Sequence, residues 1–316
     1  VSEAGPLLLL SPASLKHRAP NHPERPERLE AIVARLDSDP GLARLPRREP
    51  SPAPLDALTA VHHPGYVEAI QRAGAEVEEK GRGAWLDADT WVGPGSMEAA
   101  LASAGATIAA VDAVLDGEHA VAFSLCRPPG HHATRDTAMG FCLFNNVAAA
   151  AQHARRRGAE RVAIVDFDVH HGNGTQDIFY ERADVLYISS HQSPLYPGTG
   201  AAGERGRGAG EGFTVNAPMA AGGGEAEYLE VFDEVFAPAL RDFQPDLLMV
   251  SAGFDAHADD PLAQMEMTTP AFGTLARRIR GWSEELGGGR SVWTLEGGYN
   301  LEALAGGVAE VLGALT

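Results

Sequence analysis

A chain of 316 residues with 44% hydrophobic and 22% charged side chains holds enough apolar surface to fold without disulfide or metal staples. Its 25 basic and 43 acidic residues give a formal charge of -18, which argues against broad electrostatic binding to nucleic acid and suits an amine-bearing substrate. Two cysteines, Cys126 and Cys142, make no disulfide framework, so a reducing, cytoplasmic setting is expected, and the short apolar run 7–10 predicts no membrane span.

The run 7–10 reads as a first buried strand. Helical spacing of apolar residues predicts helices over 24–37, 64–80 and 96–116. Strand candidates follow at 120–125, 161–165, 185–189, 247–250 and 291–295, each short, apolar and bounded by turn residues. Helical patterns lie between and after them, over 146–157, 225–243, 270–286 and 301–312. The glycine-rich stretch 198–224 reads as a long loop. Strands without polar alternation, each followed by a helix, indicate a parallel sheet covered on both faces. The expectation is therefore a single α/β domain over 1–316, with ligands beyond the carboxyl ends of its strands.

Four polar clusters fall at those ends. Asp166, Asp168 and His170 alternate directly after the strand 161–165 and so share a face. Two carboxylates and an imidazole buried together call for a cation. Asp255, after the strand 247–250, can supply a third ligand, and three protein ligands leave a position open for water. Oxygen-rich ligation suits Zn2+ and also Fe2+, Co2+ or Mn2+. His257 reads as a loop histidine. After the strand 120–125, two prolines precede the pair His131 and His132, whose imidazoles suit acid–base work near neutral pH. Gly297 and Gly298 follow the last strand and aim Tyr299 at the same crevice, where a phenol can donate to a developing oxyanion.

With these clusters in place, the chain resembles the histone deacetylase branch of the arginase/deacetylase superfamily. The matching segments are HPERPERL (22–29), RPPGHHA (127–133), GFCLFNNVA (140–148), DFDVHHGNGTQ (166–176), PGTG (197–200), SAGFDAH (251–257) and LEGGYNL (295–301). The resemblance is strongest to class II enzymes and their bacterial relatives, including acetylpolyamine amidohydrolases and acetoin-utilization-type deacetylases. It implies an arginase/deacetylase fold with a central eight-stranded parallel sheet and helices on both faces. It implies one catalytic Zn2+, with Fe2+ or Co2+ as alternatives, held by Asp168, His170 and Asp255. His132 resembles the family's general base, and His131, held by Asp166, its electrostatic partner. Tyr299 resembles the tyrosine that polarises the amide carbonyl. Gly140 is similar to the backbone acceptor for the substrate amide, Phe141 and Tyr196 to the tunnel walls, and Arg28 to the arginine of an acetate exit cavity. The resemblance also implies one or two structural K+ ions. The first would lie at Asp166, Asp168, His170, Ser189 and Ser190, the second at the carbonyls of Phe179, Arg182 and Val185.

Departures from the wider pattern are informative. Asn173 stands where class I enzymes carry an aspartate partner for the second histidine. Gly172 and His257 stand where a two-metal arginase would need further aspartates, so one catalytic metal is expected. Leu262 stands where a polyamine-specific subgroup has glutamate, which favours acetyl-lysine over an acetylated polyamine. Asp87 and Asp89 are candidates for the tunnel rim, where a carboxylate can hold a substrate backbone or ammonium. Tyrosine rather than histidine at 299 favours turnover over a silent acetyl-lysine-binding protein. No oligomeric state is legible.

Overall fold

In the computed structural model, which describes residues 5–316, the chain alternates short strands with helices from beginning to end. Strand β1 (Leu7–Leu9) is followed by helix α1 (Glu27–Ser38), strand β2 (Arg47–Arg48), the single-turn helix α2 (Leu55–Leu58) and helix α3 (Pro64–Lys80). A two-residue hairpin pairs β3 (Ala84–Trp85) with β4 (Trp91–Val92) ahead of α4 (Ser96–Leu115). Then come β5 (Val121–Ser124), α5 (Asn146–Arg156), β6 (Val162–Asp166), α6 (Asn173–Phe179), β7 (Val185–Gln192) and β8 (Thr214–Met219). The chain closes with α7 (Glu225–Val231), α8 (Ala237–Phe243), β9 (Leu247–Ala252), α9 (Thr269–Leu286), β10 (Ser291–Leu295) and α10 (Leu301–Leu315).

Eight strands form one sheet in the order β2-β1-β5-β10-β9-β6-β7-β8, and every neighbouring pair is parallel. Consecutive residues of the central strands feed opposite faces. Phe123, Val165, Val250 and Trp293 enter the core packed against α1, α9 and α10. Ala122, Ile164, Met249 and Val292 enter the core packed against α3, α4 and α5. This two-sided burial explains why the strands carry no polar alternation. It also explains α4, which is apolar enough to span a membrane by length and composition, yet has 72% of that stretch buried inside the fold.

Three expectations need correction. The first helix begins at Glu27 rather than residue 24, because Pro26 disfavours helical geometry in Arg25 and itself opens the helix. The stretch 198–224 is not all loop, since it contains β8. The sequence Thr-Val-Asn-Ala-Pro-Met hides that strand, because Pro218 is tolerated only at a sheet edge, where β8 lies. The helix expected over 225–243 is broken by a π-helical turn, Phe232–Phe236. Pro238 there has no N–H for the Glu234 carbonyl, and the wider turn relieves its clash with that residue. Helix α6, directly after Gly172, was not expected at all.

Away from the strand ends, His62 is a buried histidine held as a neutral ring. His62 Nδ1 faces the Thr134 carbonyl at 2.7 Å and Nε2 faces the Asn145 N–H at 2.9 Å, so Nε2 must accept. Burial holds His62 down at about 4 despite its bond to Thr134. The unfolded chain takes up this proton near 6.5, so the stabilisation is complete above that pH and is lost as pH falls toward 4. The stability margin of the wild type over His62→Gln should therefore shrink by roughly 2–3 kcal/mol between pH 7 and pH 4. Denaturant unfolding across that range measures it, and a pH-independent margin would exclude the neutral-histidine account.

Candidate active site and metal centre

The four strands β5, β10, β9 and β6 are consecutive neighbours in the middle of the sheet. Their carboxyl ends deliver the four polar clusters to one place. After β6 the chain turns back on its own carboxylates: the Asp168 N–H donates to Asp166 Oδ1 (3.2 Å) and the His170 N–H to Asp168 Oδ1 (2.9 Å). Asp168, His170 and Asp255 are all buried, with ligand atoms within 4.8 Å of one another. His170 Nδ1 lies 3.0 Å from Asp255 Oδ2 and 3.3 Å from Asp168 Oδ1. The backbone orients both carboxylates, through the Val169 N–H on Asp255 (3.0 Å) and the Gly297 N–H on Asp168 (2.7 Å).

Burial and the charge of Asp168 push the Asp255 carboxyl above its usual range, a conflict that a cation would resolve. One nitrogen and two carboxylates at this spacing fit a single divalent ion about 2 Å from each. Two glycines make the fit close. A Cβ on Gly253 would lie 2.1 Å from Asp168 Oδ2, and one on Gly297 would lie 2.0 Å from Asp255 Oδ2. A Cβ on Gly172 would lie 2.3 Å from Asp166 Oδ2, so this geometry leaves no room there for a further carboxylate. His257 is not among the three. Its Nε2 pairs with Thr269 Oγ1 at 3.0 Å and its Nδ1 accepts from the Asp259 N–H at 3.0 Å.

Asp166 sits one step behind the trio. Its Oδ2 faces His131 Nδ1 at 3.0 Å and accepts from the Tyr187 phenol at 3.1 Å. His132 Nδ1 faces Asn173 Oδ1 at 2.8 Å, so Nδ1 carries the hydrogen and Nε2 is left as a base. The two rings lie 4.1 Å apart. Burial disfavours charge on both. The carboxylates of Asp166, Asp168 and Glu296 nevertheless raise His131 to about 10, whereas His132, beside a charged His131, is held well below its ordinary value. One histidine of the pair thus holds a proton and the other is free to take one.

A cavity of about 210 Å³ reaches His132, lined by that residue with Asp89, Gly140, Phe141, His170, Leu195, Tyr196, Leu262 and Tyr299. The cavity brings Gly140, Phe141, Tyr196, Leu262 and Asp89 together with Leu195, whereas Asp87 is not part of its lining. Gly140 adopts φ +56°, and a Cβ there would come within 2.4 Å of the His132 ring. Phe141 is strained at φ +71° and is fixed by its N–H on Thr90 Oγ1 at 3.2 Å. Its ring meets Tyr299 edge-on at 5.7 Å, and Tyr196 meets His132 edge-on at 5.2 Å. Arg28 is fully buried behind Tyr299, its guanidinium carbon 4.9 Å from the ring centre and its Nε donating to the Gly298 carbonyl at 2.7 Å. Burial raises the Tyr299 phenol well above its usual value, so it stays a donor.

Sequence reasoning missed three supporting groups: Tyr187, Glu296 and Asp260. Glu296 Oε2 accepts from the Gly130 and His131 N–H groups at 2.7 and 3.2 Å, and its Oε1 from the Ser251 hydroxyl at 3.1 Å. Its place at a strand end was the available signal. Of the residues implied for potassium, Ser189 Oγ pairs with His191 Nδ1 at 2.9 Å, whereas the buried Ser190 hydroxyl has no partner among the described residues. Phe179, Arg182 and Val185 lie around the amino end of β7, where the Phe179 carbonyl accepts from the Arg182 N–H at 2.9 Å.

Comparison with known proteins gives the family. The histone deacetylase domain model matches residues 22–315. A histone deacetylase-like amidohydrolase of Pseudomonas aeruginosa is 45% identical over 89% of this chain and 73% of its own. The chloroplastic histone deacetylase 10 of Oryza sativa subsp. japonica is 43% identical over 96% of this chain and 71% of its own. The crystal structure of an acetylpolyamine aminohydrolase from Burkholderia pseudomallei superposes with a TM-score of 0.87 at 36% identity, covering 98% of both chains. With the eight-stranded sheet and the buried trio, these matches establish that the chain belongs to the histone deacetylase family.

Proposed function

We propose that the protein hydrolyses N-acetyl amides of linear amines, foremost acetyl-lysine side chains in proteins or peptides, with one Zn2+ at Asp168, His170 and Asp255. The observation that carries this reading is the cavity between Phe141, Tyr196 and Leu262 that ends on His170, one of the buried trio, and on a neutral His132. An alkyl chain fits such apolar walls, and its acetyl end would reach the metal ligands.

A divalent cation there supplies Lewis acidity to the acyl carbonyl and makes water a stronger acid. The chain's residues do the rest. His132 Nε2 takes the proton of the attacking water, and His131, charged and paired with Asp166, stabilises the developing negative charge beside it. The Tyr299 phenol donates to the oxyanion, and the Gly140 carbonyl accepts the substrate N–H. The leaving amine receives its proton from the histidine pair, and acetate departs past Arg28. Asp89 at the rim holds the substrate backbone. The partnerless Ser190 hydroxyl supports a K+ ion among Asp166, Asp168, His170, Ser189 and Ser190, and a second is proposed at the Phe179, Arg182 and Val185 carbonyls.

A second reading, hydrolysis of acetylated polyamines, draws on the Burkholderia neighbour and the charge of -18. The uncharged Leu262 at the mouth weighs against it, because it leaves Asp89 as the one carboxylate lining the cavity for a polyamine's internal ammonium. Rates on an acetyl-lysine peptide, acetylputrescine, acetylspermidine and longer acyl-lysines, with and without a chelator, decide between them. The peptide should show the highest kcat/KM, and the chelator should abolish it until Zn2+ is restored. Faster turnover of an acetylpolyamine by tenfold would reverse the order of the readings. Metal-independent binding without turnover would favour a silent acetyl-lysine reader.

A further inference from the structure

Tyr299 must present its hydroxyl to the reacting carbonyl, yet nothing hydrogen-bonds that hydroxyl among the described residues. The ring is bounded by Phe141, edge-on at 5.7 Å, and by the Arg28 guanidinium, whose Nε also donates to the Gly298 carbonyl at 2.7 Å. The backbone of Tyr299 itself is held by a carboxylate. The Tyr299 N–H donates to Asp260 Oδ2 at 2.7 Å, and the Asn300 N–H to the same oxygen at 3.2 Å. The other oxygen, Oδ1, accepts from the Leu262 N–H at 3.0 Å. Asp260 is buried, and it lies on the loop after β9 while Tyr299 lies on the loop after β10. One carboxylate therefore ties the residue at the cavity's rim to the residue at its reacting end. It also caps the approach to α10, whose first free N–H groups are taken by the Asn300 side chain. The preceding Gly298 has φ +115°, a conformation that favours glycine.

We propose that Asp260 is a positioning residue that fixes the reach of Tyr299 through these backbone amides, without touching substrate. The proposal rests on the deacetylase reading above, in which Tyr299 is the oxyanion donor. A misplacement near 1 Å of such a donor costs on the order of a hundredfold in rate. A loss of fold or of metal binding would act whether or not Tyr299 carries its hydroxyl, and a loss of positioning would not.

The test is a double-mutant cycle on the purified metal-loaded enzyme. Asp260→Ala is expected to lower kcat on an acetyl-lysine peptide by about tenfold or more with KM within about twofold. In a Tyr299→Phe background the same change should alter kcat by less than about twofold. Asp260→Asn keeps an acceptor oxygen for the Tyr299 and Asn300 amides and should recover most of kcat. If Asp260→Ala does not fold, Asp260→Ser, too short to span both loops, takes its place. Amide hydrogen exchange on the metal-free protein gives a readout independent of turnover: exchange at Tyr299 and Asn300 should accelerate by about tenfold or more in the Ala or Ser variant. Equal losses of kcat in both backgrounds, or unchanged exchange at Tyr299, would overturn the proposal. A wild type inert on every acetyl amine would instead remove the deacetylase reading, and the exchange experiment would still judge the tether.

Discussion

Asp255→Asn is expected to lower kcat/KM on an acetyl amine by about 10³ or more, and to leave the metal-free protein at least as stable as the wild type. The first effect follows from the ligand set. Asp255 Oδ2 faces His170 Nδ1, while Oδ1 is already engaged by the Val169 N–H. Asparagine can keep the backbone bond but offers a neutral amide to the ion. A bound metal contributes several kcal/mol to the transition state, and about 4 kcal/mol corresponds to about 10³ in rate. The second effect follows from burial. Without metal, the Asp255 charge sits beside Asp168 out of reach of water, so removing it relieves repulsion. A structural carboxylate would show the opposite pattern. Kinetics, metal content by plasma mass spectrometry and thermal midpoints with and without chelator measure the pair of effects. A variant that keeps a full equivalent of metal and normal turnover would remove Asp255 from the ligand set.

Tyr299→Phe is expected to cut kcat by about 10² while KM changes little, since the loss of one oxyanion donor typically costs that much. The substitution keeps the ring, and with it the contacts to Phe141 and Arg28 and the wall seen by the alkyl chain. It removes only a hydroxyl that burial keeps protonated. Single-turnover rates separate this from slow product release. Unchanged turnover would take Tyr299 out of the mechanism and Asp260 with it.

The centre of the molecule was the legible part. Strands β6, β9 and β10 are continuous apolar runs because both of their faces are covered, and their ends are marked by charge and glycine. Asp168, His170 and Asp255 could be read because buried charge is conspicuous in such surroundings. The sheet's edges were harder to read. Strand β2 has two exposed arginines, and β8 carries proline among glycine-rich neighbours, so neither has the composition of a strand. The helix α6 follows Gly172 and Asn173, residues that weaken helical propensity, and its formation depends on packing into the sheet. The supporting shell was hardest of all. Asp260, Glu296 and Tyr187 act through backbone amides or a single carboxylate oxygen, and no spacing in the sequence announces a partner 39, 166 or 21 residues away. Asn173 was noticed as a departure, but only its 2.8 Å approach to His132 shows that it sets which nitrogen is the base.

The sheet order has a consequence for how the protein is made. Strands β5 and β6 are separated in the sequence by a single helix, yet β10 and β9 lie between them in the sheet. A chain emerging from the ribosome therefore presents the outer strands of the sheet first, with the two that join them still to come. Until β9 has been synthesised the edge of β6, and until β10 has been synthesised the edge of β5, carry unpaired amides and exposed valine, isoleucine and phenylalanine. Closure must wait for long-range pairing, which is slow and leaves such edges open to other chains. Nascent chains stopped just before β9 should accordingly depend most on chaperones, and the buried trio comes together only when β9 pairs with β6.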